Sequence, residues 1–106
     1  MSLVETPQQR AGFNEATFRE LNEDVAKDSH GRVAFRCECG RLGCNQLLEL
    51  GRAQYEAVRA NPRRFVVLPG HHLPQVEDVV ERHDHYVVVE KRSEAGAVAE
   101  RTDPRQ

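Results

Sequence analysis

The sequence predicts a small zinc-stabilised α+β domain, with about four strands, an N-terminal helix and two short helices. Three observations lead there. Helix-type and strand-type segments alternate in the order α-β-β-α-β-α-β. Three cysteines, Cys37, Cys39 and Cys44, crowd into one short stretch and no other cysteine exists to pair with them. The chain has 106 residues, four Phe, two Tyr and no Trp. Without its polar ends it leaves about 80 residues, a size at which cores are marginal and a metal staple helps.

Residues 1–12 lack apolar periodicity and are expected to form a tail. A helix is expected from Asn14, an N-cap residue, with Phe13 and Phe18 at the two positions of a hydrophobic staple. Phe18, Leu21 and Val25 recur at helical spacing and form its expected inner face. Glu20, Glu23, Asp24 and Lys27 fall on the opposite, polar face. The helix should stop near Asp28, before Ser29-His30-Gly31. Val33 to Arg36 is β-prone and runs into Cys37, and Gln46 to Leu50 suits a returning strand. Gly40 and Gly43 permit the turn between them, so a hairpin carrying three thiols at its tip is expected. Gly51 opens a second helix through Ala60, with Tyr55 and Val58 on one face, and Asn61-Pro62 ends it. Phe65 to Leu68 is a short buried-type strand stopped by Pro69-Gly70. Pro74 suits the first turn of a short helix with Val76, Val79 and Val80 inward. His83-Asp84-His85 is a connector, and Tyr86 to Val89 is the strongest strand signal. Residues 93–106 are expected to be a polar tail, in which Ala95 to Glu100 has a turn or two of helix. The single domain is thus bounded at 13–92.

Composition excludes several classes. No apolar run approaches the ~18 residues of a membrane span, and no hydrophobic segment in the first 30 residues suggests a secretory signal. The 15 basic and 17 acidic residues nearly cancel, which argues against a general binder of nucleic acid or anionic membrane. The Arg59, Arg63 and Arg64 cluster lacks the interleaved aromatics that stack on bases, and is expected to be a solvated helix end. Nucleotide-binding glycine loops and nucleophile elbows are absent.

The cysteines carry the chemistry. A reducing, cytoplasmic setting favours metal binding or redox work over disulfides for clustered thiols. Their spacing is C-x-C-x4-C, and zinc takes four sulfur or nitrogen ligands in a tetrahedron. Three thiolates from one turn supply three corners. Residues i and i+2 of a regular strand share a face but stand too far apart to chelate, so the chain must curl at Glu38. The expected fourth ligand is His71, fixed by the strand and Pro-Gly turn before it. His72 is the neighbouring substitute, then His30; His83 and His85 fit a solvated connector better. Four protein ligands leave no open position for water, which points to a structural rather than a catalytic ion.

The octet Cys37-Glu38-Cys39-Gly40-Arg41-Leu42-Gly43-Cys44 resembles the zinc knuckle that follows SET domains in protein lysine methyltransferases. Those knuckles also read C-x-C-G-x-x-x-C and take a fourth ligand from a distant part of the chain. No SET catalytic segment accompanies the motif here, so the resemblance implies ligand geometry and not methyl transfer. Over most of residues 13–105 the chain also resembles small bacterial proteins of no assigned activity. These share an Asn-Glu-rich first helix (Asn14 to Glu23), the knuckle (Cys37 to Cys44) and a Tyr-x-x-Val-Arg…Pro-x-Arg-Phe-x-Val-x-Pro-Gly-His stretch (Tyr55 to His71). That resemblance implies a metal-binding domain.

The expected function is a protein-interaction or regulatory module built on a Cys3His zinc site at Cys37, Cys39, Cys44 and His71, as a monomer or homodimer. Two alternatives stand beside it. One is a thiol-based redox or zinc sensor. The other is a small metal enzyme using His71, His72, His83 or His85 around an open ion.

Overall fold

The computed structural model describes residues 7–27, 32–39, 41 and 43–105, with side chains from Glu15 onward. The expected helix end at Asp28, the turn residue Gly40 and the candidate ligand His30 lie outside the described residues. The fold is the α+β class expected, with three helices and five strands in two antiparallel sheets among the described residues.

Helix α1 runs Pro7–Lys27, beginning seven residues before Asn14. Pro7 occupies the first helical position, where its missing N–H would have no partner anyway, and Gln8, Gln9, Arg10 and Ala11 are good helix formers. Asn14 is therefore inside the helix rather than at its cap, and part of the expected tail is helical. The buried stripe of α1 is also not the apolar one. Glu15, Arg19, Asn22, Glu23 and Ala26 are buried, whereas Leu21 is 42% exposed.

Strands β1 (Arg32–Arg36) and β2 (Leu47–Gly51) form the expected hairpin, with Val33 opposite Leu50 and Phe35 opposite Leu48. Helix α2 (Arg52–Arg59) follows at once. The Gly51 N–H donates to Gln54 Oε1 at 2.7 Å, which satisfies one donor at the helix start. Tyr55 stacks on Phe35 with ring centroids 4.4 Å apart, so α2 packs over the hairpin.

The second sheet has the order β3-β5-β4, from Arg64–Val67, Val87–Lys91 and Glu77–Arg82. β5 is central, and Val87, Val88 and Val89 are all buried, as befits a strand covered on both faces. The short helix expected after Pro74 is instead strand β4. Pro74 lies in a turn in which the N–H groups of Val76 and Glu77 both donate to the Leu73 carbonyl at 3.0 Å. Beyond the turn, β-branched Val79 and Val80 and the open edge of β5 favour a strand. Helical and strand periods are hard to separate over so short a run.

Residues 93–101 form helix α3 (Ser93–Arg101), longer than the turn or two of helix expected at Ala95 to Glu100 within a polar tail. Ala99 is buried, and α3 packs against α1 and β5. The core joins both sheets through Phe35, Leu48, Leu50, Tyr55, Phe65 and the β3 and β5 valines. No described helix is long and apolar enough to cross a membrane.

Candidate metal centre

The three thiols sit where β1 leaves its sheet and β2 begins. The Cys37 N–H donates to the Gln46 carbonyl at 3.0 Å, closing the base of the loop. One residue on, the Glu38 N–H donates to the Val66 carbonyl at 2.8 Å, so the chain crosses from the hairpin to the edge of the second sheet. That switch of partner is the curl that brings Cys37 and Cys39 to one centre. Both are buried, while Cys44 is half-buried.

Two glycine turns bring in the remaining two candidate ligands. The Cys44 N–H donates to the Arg41 carbonyl at 3.1 Å, and Gly43 has φ +84°. The His71 N–H donates to the Leu68 carbonyl at 2.9 Å, and Gly70 also has φ +84°. Each glycine holds the third position of its turn, where a positive φ suits residues without a Cβ. Arg41 Nη2 donates to the Gly70 carbonyl at 2.9 Å and ties the two turns together.

The result is a group of Cys37, Cys39, Cys44 and His71 with one ligand atom each, all within 4.8 Å of one another. His71 Nδ1 lies 3.7 Å from Cys37 Sγ and 3.8 Å from Cys44 Sγ. A tetrahedral ion with metal–sulfur bonds of about 2.3 Å and metal–nitrogen bonds of about 2.0–2.1 Å places sulfur and nitrogen about 3.6 Å apart. The donor spacing therefore fits such an ion, and all three cysteines are free.

The electrostatics favour thiolate formation at Cys39. Its thiol is held well below the ordinary range, chiefly by a hydrogen bond from Cys37. The Arg41 backbone N–H, His71 and Cys44 add to this against the opposing effect of burial. Cys37 is pushed up by the same shared proton and by its own burial. The Leu68 N–H donates to Cys37 Sγ at 3.2 Å, which supports negative charge on that sulfur.

His72 is outside the group, although its Nδ1 is buried without a hydrogen-bond partner among the described residues. His83 stacks on Tyr86 at 4.3 Å and lies 2.9 Å from Glu81, and His85 is exposed. Among the described residues no second group of His, Cys, Asp or Glu reaches metal-ligating spacing.

Sequence reasoning missed the buried polar residues of α1 and α2. Asn22 Nδ2 donates to the Arg36 carbonyl at 2.9 Å, and Asn22 Oδ1 accepts the Arg36 N–H at 2.8 Å. Arg19 donates to the carbonyls of Pro62 and Ala99 and lies over the Phe65 ring. Arg59, expected at a solvated helix end, is buried and paired with Glu23 and Asp103. The available signal was the helical spacing of Glu15, Arg19, Asn22 and Ala26. No protein-family model, curated protein or solved structure matches the chain.

Proposed function

We propose that this chain is a zinc-binding module in which Cys37, Cys39, Cys44 and His71 hold one structural ion. The carrying observation is the pair of sulfur–nitrogen distances, 3.7 and 3.8 Å, from His71 Nδ1 to two thiols that are 34 and 27 residues away in sequence. One ring nitrogen at that distance from two sulfurs has the spacing of neighbouring donors on one tetrahedral ion. Bound there, zinc cross-links the hairpin to the end of β3 and contributes folding free energy, because the unfolded chain has no preformed site.

Three sulfurs and one nitrogen suit zinc, and a full protein shell suits a structural role. The task that follows is protein interaction or regulation in a reducing, cytoplasmic compartment, where such thiols stay free. Metal analysis of protein purified without added metal should give about one zinc per chain. His71→Ala and Cys39→Ser should lose it, and His85→Ala should retain it. A metal-free wild type that unfolds cooperatively would overturn the reading. Loss of zinc from His85→Ala but not from His71→Ala would overturn the ligand set.

A second reading keeps the same ligands and is favoured by the half-exposure of Cys44 and His71, which gives oxidants access. Two thiolates, one hydrogen peroxide and two protons would yield a disulfide and two waters, releasing the ion. Zinc release by peroxide and recapture after thiol reduction would support a sensor; release that reduction does not reverse would count against it.

A further inference from the structure

Glu38 lies between two of the proposed ligands and is 0% exposed. Glu38 itself is not part of the ligand group. Its carboxylate gathers donors from three separate elements. Oε1 accepts the Val66 N–H of β3 at 3.0 Å. Oε2 accepts Asn22 Nδ2–H of α1 and the Tyr55 hydroxyl of α2, both at 2.8 Å. With the Glu38 N–H on the Val66 carbonyl, Glu38 and Val66 are joined by two bonds. Asn22 also grips both backbone groups of Arg36, two residues earlier.

An apolar side chain at this position would fill the space but leave three buried donors without an acceptor. A spacer between two cysteines needs no such provision. We infer that Glu38 is a positioning residue of the metal centre. From outside the ligand group its carboxylate holds the curl that keeps Cys37 and Cys39 on one ion. It also ties occupancy of that centre to the seating of α1 and α2. The inference rests on the Cys3His reading above. Groups that orient metal ligands from outside the coordination shell commonly change metal affinity about 10–100-fold when removed. The tie is reciprocal: what strengthens metal binding by docking Asn22 and Tyr55 must strengthen their docking when metal binds.

The test is a Co²⁺ titration of the whole chain, followed by thiolate charge-transfer absorption and by the d–d bands that report tetrahedral geometry. Glu38→Gln keeps the shape but turns one acceptor into a donor, which then faces Val66 or Asn22. It should bind Co²⁺ at least about tenfold more weakly, with shifted d–d bands. Val89→Ala, a truncation on β5 opposite Phe65 and Val79, serves as the stability control. It should melt at lower temperature and lose affinity only as far as its lost stability requires, with wild-type bands. Wild-type affinity and bands in Glu38→Gln would overturn the inference, as would equal changes in Val89→Ala at matched loss of stability. Should Glu38→Gln fail to fold, Tyr55→Phe decides, since it removes one donor of three. A several-fold loss with band shifts supports the role, and no change overturns it. A wild type with no charge-transfer band would overturn the Cys3His reading itself.

Discussion

Cys44 and His71 reach the centre by the same device, a turn whose third residue is a glycine at φ +84°. A Cβ built on either glycine meets nothing within 4 Å, so substitution there strains the backbone and not the packing. Gly70→Ala should therefore lower stability by about 1–2 kcal/mol, read from urea unfolding of the zinc-loaded protein. Gly70→Asn should lose less, because Asn tolerates positive φ better. Equal stability of Gly70→Ala and wild type would contradict the role of this turn. Glu15 makes a different kind of prediction. Burial raises its carboxyl to about 8, against the opposing pull of Lys91, with Glu77 and Cys39 raising it further. The folded state thus holds this proton more tightly than the unfolded chain. Its contribution to stability is full below the ordinary carboxyl range and is lost as pH rises toward 8. Glu15→Gln should remove that downward slope between pH 5 and about 8, seen as the difference in urea midpoints between variant and wild type. A slope identical to wild type would show that Glu15 does not titrate there. At this scale the grouping of Cys37, Cys39 and Cys44 was legible from their chelating spacing, and the approach of His71 from the Pro-Gly turn before it. Glu38 was not, since the middle residue of C-x-C looks like a spacer.

Helix α1 docks through a polar stripe, which inverts the usual reading of an amphipathic helix. Glu15 contacts Lys91, Arg19 caps the carbonyls of Pro62 and Ala99, Asn22 holds Arg36, and Glu23 pairs with Arg59 and Arg105. Each such group is stable in the interior only because a partner meets it. Asn22→Ala would leave the Arg36 N–H and carbonyl and one oxygen of Glu38 short of partners. The expected loss of stability is about 3 kcal/mol, read as a lower urea midpoint at an unchanged m value. A change within about 0.5 kcal/mol would mean that this face behaves as surface. The hairpin, α2, β3 and β5 were legible because their apolar pattern matched the structure they form. β4 was not: Val76, Val79 and Val80 satisfy a helical period, and only the open edge of β5 decides for a strand. α3 was only partly legible, as a turn or two at Ala95 to Glu100, for a related reason. Its docking depends on Ala99 and on ion pairs such as Arg63–Glu100, and charged residues near a chain end resemble a tail.

Across the whole molecule, two small sheets share one core and meet at the thiol loop. Cys37 and Cys39 leave the end of β1, Cys44 leads toward β2, and His71 follows β3, so the four proposed ligands span the junction. An α+β class was readable from the alternation of segments, because short-range pattern fixes element type. How the sheets join was not, because that depends on Glu38 crossing to Val66 and on buried polar pairs between distant residues. The central claim is that one ion at this junction is held by three sulfurs and one imidazole. X-ray absorption at the zinc edge on protein purified without added metal tests it most directly. The account predicts three sulfurs at about 2.3 Å and one nitrogen at about 2.0–2.1 Å. A shell dominated by oxygen, or one with fewer than three sulfurs, would contradict it.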